Sequence, residues 1–61
     1  MKPKVKLTGT DGNVFSLAAK VARALKDAGQ ETKSKAFMDE IFKSSSYDAA
    51  LQVMMRYVEV S

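Results

Sequence analysis

Five residues, Gly9-Thr10-Asp11-Gly12-Asn13, have the composition of a loop that wraps an anion. Glycines let backbone amides converge, and a helix starting just beyond would add its dipole. The nucleotide-binding versions of such a loop need more. This stretch lacks the Gly-Lys-Ser/Thr ending and the G-x-G-x-x-G spacing, and it puts the Asp11 carboxylate where a phosphate would sit. A tight turn feeding a helix cap accounts for each residue type. A calcium loop fails as well, because the alternating run of acidic and amide ligands is not completed after Asp11.

Paired carboxylates are the other common source of chemistry. Asp39 and Glu40 are adjacent, and on a helix neighbours point about 100° apart, so the two do not make the facing pair that acid–base hydrolysis uses. Asp48 reads as a cap. The chain has no histidine and no cysteine, which removes the commonest general base, the commonest metal ligand and the thiolate nucleophile together. No serine has a histidine partner, and a serine–lysine dyad would need a sheltered pocket that so small a chain can scarcely enclose. The expectation is a protein that is not an enzyme, with no catalytic, cofactor-binding or metal-binding residue and no small-molecule substrate.

Cations offer a third chemistry. Lys20, Arg23 and Lys26 fall on the polar face of the first helix, and Lys2, Lys4 and Lys6 alternate along the first strand. Together they could contact phosphates, so weak, non-specific nucleic-acid binding is the alternative functional reading. The bland reading competes strongly. Eight of the ten basic residues are lysine and the formal charge is only +3, whereas reading phosphates and bases favours arginine. Asp27 follows Arg23 at i+4 and can pair with it, and lysines on an edge strand discourage uncontrolled sheet growth.

The elements that would hold these groups follow from periodicity. Of 61 residues 28 are apolar, eight of them alanine, so one small domain, residues 1–61, with a thin core is expected. Val5 and Leu7 alternate with lysines, which predicts a short strand over 4–8. Asn13 should cap a helix over 14–28, whose apolar arc holds Val14, Phe15, Leu17, Ala18, Val21, Ala22, Leu25 and Ala28. Gly29 stands where a left-handed C-cap belongs. A second helix is predicted over 33–44, capped by Thr32, with Ala36, Phe37, Met38, Ile41 and Phe42 apolar. Ser45, with Asp48 three residues later in the manner of a capping box, should cap a third helix over 47–55, with Ser46 as the alternative cap and Tyr47, Leu51, Met54 and Val58 on its stripe. Residues 57–60 read as a strand as easily as a last helical turn. If extended, they pair with the first strand, giving a mostly helical α+β fold of order β-α-α-α-β.

The pattern Gly9-x-Asp11-Gly12-Asn13-x-Phe15, then Ala24-Leu25, Ala28-Gly29, Phe37, Tyr47-Asp48-x-x-Leu51 and Arg56-Tyr57-Val58-Glu59-Val60 resembles a group of small bacterial and phage-associated proteins of uncharacterised activity. The resemblance spans residues 6 to 60 and implies a context, bacteria and mobile elements, with no activity or site residue to transfer.

The functional expectation is therefore an interaction module. Leucine and isoleucine together number only five, so part of the methionine and aromatic set should face a partner, either a second copy in a homodimer or another protein. Met55, Tyr57 and Val60 are the residues expected to carry self-association. No stretch approaches the roughly 18 apolar residues of a membrane span, and no apolar run follows the basic N-terminus. A cytoplasmic setting without a membrane partner is expected.

Overall fold

The computed structural model describes residues 2–7 and 12–60. In chain order these form β1 (Lys4–Val5), α1 (Val14–Asp27), α2 (Glu31–Lys43), α3 (Tyr47–Tyr57) and β2 (Glu59–Val60). This is the expected β-α-α-α-β order in a mostly helical α+β fold. β1 stops at Val5, short of the strand expected over 4–8: Lys6 and Leu7 lie beyond it, and Thr8 lies outside the described residues, as do Gly9, Thr10 and Asp11 of the turn.

Local chemistry sets most helix ends. Asn13 is extended, and its Oδ1 accepts from the Phe15 amide at 2.8 Å, which starts α1. At the other end Gly29 adopts φ 76°, the Gly29 amide donates to the Lys26 carbonyl at 2.9 Å and the Gln30 amide to Leu25 at 2.8 Å. Those two bonds are the Schellman closure that a left-handed glycine permits. α1 therefore ends at Asp27, one residue before the expected Ala28. The turn is so tight that α2 begins at Glu31, two residues before the expected Lys33. Thr32 is then inside the first turn, and the Gln30 carbonyl takes the cap position, accepting from the Ser34 amide at 3.0 Å.

The second connection is equally short. Ser44 leaves α2 one residue early, and both its amide (3.1 Å) and its hydroxyl (2.6 Å) donate to the Ile41 carbonyl. Ser46, not Ser45, caps α3, its Oγ accepting from the Ala49 amide at 3.0 Å. α3 continues past the expected Met55 to Tyr57, and Val58 turns extended. The strand is thus only Glu59–Val60. It pairs parallel with β1, Lys4 opposite Glu59 and Val5 opposite Val60, with the Glu59 amide donating to the Pro3 carbonyl at 2.9 Å.

The core is drawn from every helix and from the strand side. α1 contributes Leu17, Ala18, Val21 and Leu25; α2 contributes Phe37 and Ile41; α3 contributes Ala50, Val53 and Met54; Val5 and Val58 close it from the strand side. Ser34 is the buried polar residue of this set, and its hydroxyl donates to the Ala22 carbonyl of α1 at 3.0 Å. A small side chain there lets α1 and α2 approach closely while its one polar atom is satisfied. Five residues of the expected apolar stripes are outside: Phe15, Ala28, Ala36, Phe42 and Tyr47 are exposed. Ala28 lies past the end of α1, at its C-cap. On α2 the core is filled at i and i+4 by Phe37 and Ile41, which leaves Ala36 and Phe42 on the flanks. On α3 Tyr47 shares the side of the buried Ala50 and Met54, but it is the first residue of the helix, at the end of the bundle, and is exposed there.

Ser34 supplies a direct check on this packing. Ser34→Ala should lower unfolding stability by about 1 kcal/mol for the lost hydrogen bond. Ser34→Leu should cost more, about 1–3 kcal/mol through overpacking. Urea unfolding of the parent and the two variants measures both, and a Ser34→Leu variant as stable as the parent would show that the helices do not meet closely there.

Candidate interaction surfaces

The six cations marked in the sequence do not converge. Lys4 and Lys6 are exposed on either side of buried Val5. Lys20 reaches from α1 to this segment, its Nζ donating to the Lys6 carbonyl at 3.2 Å, so Lys6 and Lys20 do become neighbours. Arg23 faces Asp27 along α1 at 3.9 Å with both side chains exposed, a pair worth little in water. Lys26 borders a shallow hollow beside Lys35 and Asp39. Lys2 lies elsewhere, its Nζ donating to the Met55 carbonyl at 3.1 Å near the end of α3. Carboxylates interrupt the surface between these groups, and a continuous phosphate track is absent among the described residues.

The residues expected to carry self-association are divided as well. Met55 (46% exposed) and Val60 (42%) are on the surface. Tyr57 turns inward: its ring meets the edge of buried Phe37 with centroids 5.4 Å apart, a geometry favoured by the ring quadrupoles.

A larger apolar surface stands at the other end of the helices. Phe15 in the first turn of α1, Phe42 in the last turn of α2 and Tyr47 at the start of α3 are 58%, 69% and 47% exposed. Phe15 and Phe42 stack at a tilt, centroids 6.2 Å apart. Between the three rings is an open hollow of about 270 Å³, floored by Ile41 and Ala50 and edged by the serines that join α2 to α3. The Tyr47 hydroxyl donates to the Gly12 carbonyl at 2.7 Å, tying this end of α3 to the approach of α1. Both charge signs edge the face, with the Lys43–Asp39 pair (3.0 Å) alongside Phe42 and Asp48 next to Tyr47. The sequence carried one signal of this exposure: Phe42 lies five residues after Phe37, beyond the i, i+4 line that fills a core.

Glu40 organises the opposite end of α3. One carboxylate oxygen accepts from the Tyr57 hydroxyl, and the other accepts from Arg56 Nη2 at 2.5 Å. The Tyr57 hydrogen bond, and after it the Arg56 guanidinium, hold the Glu40 carboxyl below its usual range. Reciprocally, the bond to Glu40 and then burial push the Tyr57 phenol up. Beside this group a hollow of about 450 Å³ is lined by Lys2, Thr32, Lys33, Ala36, Arg56 and Tyr57. Lys33 and Arg56 were not singled out by sequence, because only folding sets them next to Lys2.

The pH dependence follows from the lowered Glu40 value. Its contribution to stability is complete above the ordinary glutamate pKa of about 4.3 and is lost as the pH falls through the lower value of the folded chain. Glu40→Gln should therefore melt below the parent at neutral pH. The Tm difference should shrink as the pH falls below the glutamate range, whereas a difference constant with pH would remove the charged form from the account. With these surfaces described, comparison with known proteins finds that no family model, no curated protein and no solved structure matches the chain.

Proposed function

We propose that the protein is a small non-catalytic interaction module that pairs with a second copy of itself through the Phe15–Phe42–Tyr47 face and acts by macromolecular binding. The observation that carries this reading is the clustering of three large aromatic side chains, two of them more than half exposed, at one end of the helices of a 61-residue chain. Large contiguous apolar patches on small proteins mark contact surfaces, and chains of this length commonly add burial by oligomerising. A standard interface takes about 800 Å² per partner, roughly a fifth of the 4058 Å² that this chain exposes.

A second copy suits the face for two reasons. A twofold contact presents the same patch to itself, so aromatic meets aromatic without a complementary partner having to exist. The edge also carries both charge signs, which lets Lys43 of each copy approach an acidic residue of the other. The absence of cysteine supports a cytoplasmic setting, and no described helix is long and apolar enough to cross a membrane. The resemblance to bacterial and phage-associated proteins is taken as the proposed context.

Sedimentation equilibrium at concentrations on the order of tens of micromolar tests the pairing, since dimerisation depends on concentration by mass action. A dimer is expected. Phe42→Ser, which removes a ring outside the core, should weaken it by about tenfold or more. A parent that stays at 6.7 kDa throughout overturns self-association. A dimer that Met55→Ser dissociates and Phe42→Ser does not would place the contact at the other end of α3 and overturn the aromatic face.

A further inference from the structure

We propose that the hollow between Lys2, the start of α2 and the end of α3 is a docking site for an acidic segment of a protein partner that also carries an apolar side chain. Three cations from three separate parts of the chain, Lys2, Lys33 and Arg56, surround it, and no carboxylate is among its described lining residues. Its lining is otherwise Thr32, Ala36 and Tyr57. A ligand that fits must therefore be anionic at its edge and apolar where it sits.

The walls are held in place before any ligand arrives. Arg56 and Tyr57 are both fixed by Glu40, Tyr57 is further braced on Phe37, and Lys2 is anchored on the Met55 carbonyl. Arg56 and Lys2 keep donors to spare: a guanidinium has five N–H groups and an ammonium three, of which one each is used in these contacts. Preorganised donors lose less entropy on binding.

The shape selects among anions. The hollow is shallow and open, so a small molecule could not bury most of its surface there, as tight small-ligand sites require. A macromolecule can rest on the surrounding surface. Nucleic acid would need cations to continue outward as a track, but Glu31 adjoins Thr32 and Glu40 adjoins Arg56. A peptide meets the pattern better, because carboxylates, apolar side chains and amides alternate along it. None of the six lining residues belongs to the aromatic face, so this site and the self-pairing stand or fall separately.

Fluorescence polarisation with a short labelled peptide alternating aspartate and leucine tests the proposal, beside a labelled single-stranded thymidine oligonucleotide. The peptide should bind at low salt and weaken as salt rises. Lys33→Glu, an exposed substitution, should reduce its affinity by about tenfold or more through charge repulsion. Lys35→Glu, the same charge change on another face of α2, should leave it nearly unchanged. Absence of peptide binding, an equal loss in the two variants, or tighter binding of the oligonucleotide than of the peptide would each overturn the proposal.

Discussion

Phe37 is the side chain on which the three helices agree. It is fully buried in the middle of α2, between Ser34 one turn before it and Ile41 one turn after, and the ring of Tyr57 closes over its edge. α1 and α3 both pack against α2 and against each other. A buried aromatic of this size contributes about 3–5 kcal/mol by the cost of its removal, a large part of the stability of any small domain. The Tyr57 contact extends its influence to the surface. Tyr57 holds Glu40, Glu40 holds Arg56, and so the cationic hollow inherits its shape from a core residue.

The helices are short, at 14, 13 and 11 residues, and each buries a small residue: Ala18, Ser34 and Ala50. Small residues allow close approach, and Phe37 is the one fully buried ring among the described residues. The other aromatic residues are displaced to the ends of the bundle. Phe15, Phe42 and Tyr47 collect where the first turn of α1, the last turn of α2 and the first turn of α3 come together.

What could be read in the sequence was what is decided locally. Asn13, Gly29 and the serine run act through bonds to amides and carbonyls within a few residues, and each does what its side chain predicts. The start of α2 escaped because Thr32 is a good cap by type, while the Schellman turn at Gly29 left no residues for a longer connection. The aromatic faces escaped because period alone says which residues share a side of a helix, not which of two adjacent sides meets a neighbour. The hollow at Lys2 was beyond reach for a simpler reason: Lys2 and the Met55 carbonyl that anchors it are 53 positions apart.

The parallel register of β1 and β2 has a mechanical meaning. The chain enters the ribbon at one end of β1 and leaves it at the opposite end of β2, so tension applied between the two ends pulls the strands past each other. Their hydrogen bonds are then loaded together in shear, the geometry in which a ladder resists most, instead of being opened one at a time as in a zipper. With two residues per strand the clamp is small, but it lies directly in the line of force. The helices behind it would be shielded until it slips, and the first extension under load would be the parting of Val5 from Val60.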